Sequence, residues 1–504
     1  MESDTGWGFM AWRGTLLGHF NCLFVPDSEN ITRDTATFLT LWSPGQYLIP
    51  GIISLSGVPL GVAIALTATL CLLLSLLGWI KVFKEYYPDS RIVIFGVLSI
   101  AAFRYSTVPF GIYNGGEILL QAATPWIVLG AFKVPYLSAV SAGLLAAVLV
   151  FIAFLIKITG LIVAGSALMA GGLVALERLR KIERGMLGGA FGALIVIGVV
   201  YALFLSRGET QLSSGPLSGG PAPGLHWSIL LPGVLFSVVA PWVAGISWGD
   251  LLAWIFWHPG RELIQRGGWV LVWFMLPCAV SVASLVMLWQ PKTQKESDLR
   301  IFVFWYYSII VIIFAYLYYK GANIGYEERH FRSVGTLLFV AALVGAMGSN
   351  IPSWIRNIFL VLVGFMALYG LASFSSRALA AADWHAADRL SWTNQPLVDQ
   401  SAIRYLQQEY SREGREALFV IPSPDIVVTM PLEARMIFLE IDSARESRIA
   451  ALRYKGRVPG HVFVLLQNRI AESAKGQALL RAFIDYDPLR WTRRTFSYSS
   501  VFVQ

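Results

Sequence analysis

Apolar stretches close to the length of a membrane span recur from residue 57 to residue 374, and nothing else in the chain restricts its fold as much. Roughly 20 residues of helix cross the ~30 Å hydrocarbon core, and in lipid a backbone must satisfy its own polar groups. Such stretches are therefore expected as transmembrane helices. They fall at about 57–80, 92–108, 117–132, 137–156, 160–176, 186–206, 268–290, 301–319, 333–348 and 357–374, about ten spans in all. Composition agrees: 56% of residues are hydrophobic and 14% charged, where soluble proteins average about 25% charged.

Loop charge orients the spans. Segments 81–91, 177–184 and 291–300 hold three, four and three Lys/Arg residues, and the positive-inside rule assigns all three to the cytoplasm. Alternation then puts 1–45, 109–116, 207–267, 320–332 and the tail on the opposite side. The net charge of +8 comes from residues spread over short loops, with no basic run to suggest nucleic acid. Cys22, Cys71 and Cys278 lie far apart, which excludes a disulfide framework and a cysteine-based zinc site.

Residues 1–56 read as an outer loop with amphipathic helices: Trp7, Met10, Ala11, Gly14, Leu17 and Gly18 recur at helical spacing, with Arg13 and His19 opposite. WSPGQYLIPGIISL then re-enters the membrane through a Pro/Gly-punctuated turn. Residues 57–375 form the transmembrane bundle. Within it, 207–267 carries Trp227, Trp242, Trp248, Trp254 and Trp257 in short proline-broken runs, expected to lie in the interface or dip into it. After 376 the composition changes. ALFVIPSPDIVV, RMIFLEID and HVFVLLQN read as buried strands, and QSAIRYLQQEYSREG and SAKGQALLRAFIDY as helices. The fold class is thus a mainly α-helical polytopic membrane protein with a small α/β C-terminal domain (376–504) outside the cytoplasm.

The polar residues able to do chemistry fall on the outer side. Asp4 could act as a general base or hold a metal, or simply cap a helix. Glu117 follows Asn114-Gly115-Gly116 at the mouth of a span, where a carboxylate is costly unless paired or wet; it also suits a helix N-terminus. Arg104 lies close to the same mouth. KGANIGYEERHFRS gathers Lys320, Glu327, Glu328, Arg329, His330 and Arg332, a cationic mixture suited to a lipid phosphate and denser than solubility needs. His258, in HPGRE, could line the same cavity or belong to a Pro-Gly turn with snorkelling charges.

These motifs resemble the bacterial GT-C glycosyltransferases, in particular the branch near protein O-mannosyltransferases and the lipid A aminoarabinose transferase. SDTGWGFMAWRGTLLGH resembles the acid-bearing first outer loop of that family, YEERHFR its Glu-x-Arg-Tyr/His signature before a late span, and NGGEILLQAATPW the acidic start of its fourth span. The resemblance covers residues 1–375. It implies an enzyme, an inverting transferase of a hexosyl or pentosyl group from a polyprenyl monophosphate to a glycan, lipid or protein acceptor, at the outer face of the cell inner membrane. Asp4 matches the catalytic acid that deprotonates the acceptor and Glu117 the second outer-loop acid. Arg329, with Lys320, Glu328 and His330, matches the carrier-phosphate region. No metal site is assigned, and a divalent cation is compatible but not required. The family's first transmembrane helix precedes its catalytic Asp, so the expectation is that the true start lies upstream of Met1 or that the sequence is a fragment. Two other classes stay open: a lipid-linked sugar flippase, which would need more ionisable residues within its spans, and an O-antigen ligase or polymerase, which would not need Asp4.

Overall fold

A computed structural model describes residues 3–39, 43–87, 89–179, 184–205, 227–246, 291, 293–320, 328–348, 351–390, 398–439, 441, 444 and 446–504. The N-terminal region comprises α1 (Ser3–Leu16), the hairpin β1 (Cys22–Pro26) with β2 (Asp34–Phe38), and α2 (Gly45–Ser54). The bundle follows: α3 (Leu60–Tyr86), α4 (Ser90–Ala102), α5 (Arg104–Ile112), α6 (Gly116–Lys133), α7 (Ala139–Ile156), α8 (Gly160–Leu179), α9 (Arg184–Leu205), α10 (Trp227–Ile246), α11 (Gln294–Tyr319), α12 (Arg332–Gly348) and α13 (Ser353–Ala386). Among the described residues, six helices are long and apolar enough to cross a membrane. The protein is a polytopic, mainly α-helical membrane protein, as its hydropathy pattern requires. The expected span at 268–290 lies outside the described residues.

The outward faces show why the bundle needs lipid. Leu66, Leu70, Leu73, Leu74 and Leu77 of α3 are all exposed, a continuous apolar stripe that water would disfavour and acyl chains would not. Inside, small residues set the helix spacing. A Cβ at Gly185 or Gly189 of α9 would run into the carbonyl oxygens of Ala139 and Gly143 on α7. This is a small-xxx-small contact that lets two backbones touch.

The three basic loops converge. Lys295 pairs with Glu85 at 2.8 Å, and Arg178 with Asp298 at 2.6 Å. One end of the bundle is therefore bound together by the very segments whose charge set the orientation.

Two expectations about the outer half change. Residues 227–246 form one continuous helix despite Pro232 and Pro241, because α10 is packed between its neighbours. Phe236 meets Tyr318 and Phe331 edge-on, Trp242 meets Tyr307, and Gly245 lies against the Gly335 backbone. The remainder of 207–267 lies outside the described residues. Helix α1, expected to be amphipathic, is buried on all its faces from Thr5 to Gly14, with only Trp7 partly open.

Helix α13 runs 34 residues, about 50 Å at 1.5 Å per residue. It passes the expected boundary at 375 and leads into the C-terminal sheet. Strand order there is β4-β3-β5-β7-β6, with β3 (Leu418–Ile421) parallel to both β4 (Arg435–Phe438) and β5 (Val462–Gln467). β7 (Ser499–Val503) is antiparallel to β5, and β6 (Thr492–Thr495) pairs antiparallel on its far edge. The apolar run after β3 was expected to stay extended. Pro422 and Pro424 break it, and 424–429 is a 3-10 helix.

Candidate functional site

At the end of the bundle away from the ion-paired loops, three short connections meet. Gly115, with φ of +39°, turns the chain so that α6 begins with Gly116 and Glu117. A side chain at Gly115 would fall 2.8 Å from Gln46 Oε1 and 3.3 Å from Thr5 Oγ1, so this close junction needs glycine. A Cβ at Gly116 would likewise lie 3.0 Å from the Ile156 carbonyl and 3.3 Å from Lys157 Cβ. That approach brings the first turn of α6 against the 157–159 turn between α7 and α8. The Glu117 carboxylate, 5% exposed, accepts a hydrogen bond and ion pair from Lys157 Nζ. A carboxylate this far from water is stable only with such a partner.

Helix α12 and the 3-10 turn before it (Glu328–Phe331) complete the cluster. The charges of Arg332 and Arg329, together with His330, act on Glu117 alongside Lys157, and the same groups act on His330. Among the described residues, Nε and Nη1 of Arg332 and Nδ1 of His330 are buried with no hydrogen-bond partner. The Arg332 guanidinium also lies over the Tyr105 ring at 5.2 Å. Arg332, Tyr105, Ser106 and Gln121 help line a narrow crevice that, as it stands, is too tight to admit a water molecule. Gln121, one turn along α6 from Glu117, donates to Ser106 Oγ at 2.8 Å. Buried polar groups are normally satisfied, so the unpaired Arg332 nitrogens beside this crevice leave capacity for a ligand oxygen. With Lys157, Arg329 and Arg332 around one carboxylate, that ligand would be an anion.

The start of α1 reaches the same place. Thr5 Oγ1 donates to the Tyr113 carbonyl at 3.1 Å, and Tyr113 OH donates to the Gln46 carbonyl at 2.6 Å. The helix turn carrying Asp4 is therefore pinned to the loop that delivers Glu117.

Of the residues singled out in the sequence, Glu117, Arg329 and His330 come together, and the helix turn that carries Asp4 is tied through Thr5 to the loop before Glu117. Glu328 opens the 3-10 turn. Arg104 opens α5, its backbone abutting Gly370 of α13, while the next two residues line the crevice. Lys320 stays exposed at the end of α11, its ammonium 5.8 Å from the Tyr316 ring. His258 lies outside the described residues. Lys157 was not selected, yet it holds Glu117; alternation of the spans puts its turn at the same end, and that signal would have found it. Among the described residues, no group of three or more His, Cys, Asp or Glu could hold a metal ion.

No family model matches the chain, and no curated protein does. Among solved structures, the mycobacterial arabinofuranosyltransferase AftD aligns with 98% of this chain at TM-score 0.42 and 12% identity. The aligned region is 37% of the AftD chain. The likeness is too loose to assign an activity.

Proposed function

We propose that this protein is a GT-C-type glycosyltransferase that moves a sugar, with inversion, from a polyprenyl-phosphate carrier to an acceptor outside the cytoplasm. The observation that carries the reading is the half-buried cationic cluster of Lys157, Arg329 and Arg332 around the buried Glu117, at the end of the bundle where α1 begins. The sequence resemblance supplies the rest.

The acceptor hydroxyl oxygen attacks the anomeric carbon opposite the phosphate. Asp4 takes the hydroxyl proton, and the carbon–oxygen bond to the carrier breaks with its electron pair going to the phosphate. Charge grows on the leaving phosphate as that bond breaks, so cations fixed beforehand in a water-poor site stabilise the transition state more than the ground state. Arg332 offers a planar fork to phosphate oxygens. Glu117 is committed to Lys157, and its role in this scheme is to hold the cations in register rather than to accept a proton. The prenyl tail would lie along the apolar helix faces. The setting is a cell inner membrane with residues 376–504 outside the cytoplasm.

The test is transfer of radiolabelled sugar from a panel of polyprenyl-phosphate donors by the full-length protein in membrane extract. Asp4→Asn should abolish transfer while carrier binding persists. Unimpaired transfer by Asp4→Asn would remove the base from the scheme and favour a flippase or ligase.

A further inference from the structure

Helix α1 has one charged side chain in its buried length, and it does not face the cluster. Arg13 is 8% exposed, and burial lowers its guanidinium to about 9, still cationic at neutral pH. Its partners are three backbone carbonyls of one loop in the C-terminal domain: Met430 at 3.3 Å, Ala434 at 2.9 Å and Leu432 in a shorter contact. Hydrogen bonds to a charged donor are stronger than neutral ones, and three acceptors on one planar group define its direction. Near the other end of the helix, Trp7 meets Phe438 of β4 edge-on at 5.9 Å.

The hairpin after α1 is joined to the same domain. Ile31 is fully buried in a core with Leu418, Val420 and Val462. Its N–H donates to the Lys455 carbonyl at 2.8 Å, and Lys455 N–H donates to the Ser28 carbonyl at 3.0 Å. Arg435 donates to the Ile31 carbonyl at 2.6 Å and to Asp34 at 2.9 Å. The N-terminal segment and the C-terminal domain thus share a core, and α1 also touches the mouth of the bundle through Thr5.

We propose that Arg13 is a positioning residue: by locking α1 to the 430–434 loop, it makes the C-terminal domain the scaffold that sets where Asp4 stands beside the Glu117–Arg329–Arg332 cluster. Arg13 lies nine positions along the helix from Asp4, about 13.5 Å, and a helix transmits a displacement over that length almost undiminished. The inference rests on the reading of Asp4 as the base. It assigns the domain a role in the chemical step rather than in donor binding.

The experiment compares full-length Arg13→Met and Arg13→Lys in lipid nanodiscs. It follows hydrogen exchange of α1 amides, steady-state transfer from the polyprenyl-phosphate sugar, and binding of polyprenyl monophosphate. For Arg13→Met, α1 amides should exchange about tenfold faster while those of α6 and α12 are unchanged. kcat should fall about 10- to 100-fold, with donor KM and carrier affinity within about twofold of wild type. Arg13→Lys, which keeps the charge and loses the fork, should fall between the two. Wild-type exchange and kcat in Arg13→Met would overturn the proposal, as would a rise in KM at constant kcat. If Arg13→Met does not fold, Arg13→Lys decides alone, and wild-type values there overturn it. An active Asp4→Asn would refute the catalytic reading separately, while the exchange measurement still judges the lock.

Discussion

Removing either member of the Glu117–Lys157 pair should destabilise the protein, and by unequal amounts. At ~4 Å and an effective dielectric constant of about 20, such a pair is worth roughly 4 kcal/mol. Breaking a buried pair by deleting one partner typically costs about 3–5 kcal/mol. Here the two deletions leave different charge sets. Lys157→Met leaves the Glu117 carboxylate with Arg329 and Arg332 still acting on it, so its cost should fall to about 1–3 kcal/mol. Glu117→Gln leaves Lys157, Arg329 and Arg332 without that carboxylate, and should cost the full ~3–5 kcal/mol. Reversible unfolding in mixed detergent micelles measures both, and the expected gap is about 2 kcal/mol. Polyprenyl monophosphate at ten times its dissociation constant should return about 1.4 kcal/mol to Glu117→Gln, because an anion replaces the missing charge. If Lys157→Met costs as much as Glu117→Gln, or the phosphate lipid does not stabilise Glu117→Gln, then the cluster is a structural ion pair and not an anion site.

Other consequences can be measured directly. Arg332→Lys keeps the charge but not the bidentate fork, and should weaken carrier binding about tenfold, by ~1.4 kcal/mol, in an equilibrium binding assay. Gly189→Val places a side chain against the Gly143 carbonyl of α7, and should lower stability by about 1–3 kcal/mol in the same micelle titration. Lys295→Ala removes an exposed pair and should leave the unfolding midpoint unchanged within error. A single cysteine in place of Asp298 should react with an impermeant maleimide only from the cytoplasmic side, and one in place of Lys455 only from the opposite side.

Hydropathy made the bundle readable because lipid imposes both a length and an apolar surface on every span. The loop charges were legible for a similar reason, and the Lys295–Glu85 and Arg178–Asp298 pairs bring together loops that the positive-inside rule had grouped. Side-chain partners were harder to see. Lys157 looks like an ordinary charge at the end of an apolar run, and its partner is 40 residues earlier. Arg13 sits opposite the apolar residues of α1, the usual position of a solvated charge. It is buried because the chain covers it with a loop 417 residues later, and no local pattern encodes that. The strands of the C-terminal domain followed their apolar content where both faces are covered, as in β3 and β5. β6 (TRRT) carries no such signal because all four residues are exposed, and pairing with β7 makes it a strand.

The shared core of Ile31 with β3 and β5 ties one end of the chain to the other, and this has a consequence for biosynthesis. At about 5–20 residues per second, the ribosome needs roughly 20–90 s to travel from the hairpin to the end of β5. Throughout that interval the bundle is being inserted while Ile31 and the apolar residues of α1 wait without their cover. Interrupted translation would leave an apolar segment open to chaperones and proteases, so incomplete copies carry their own mark for removal.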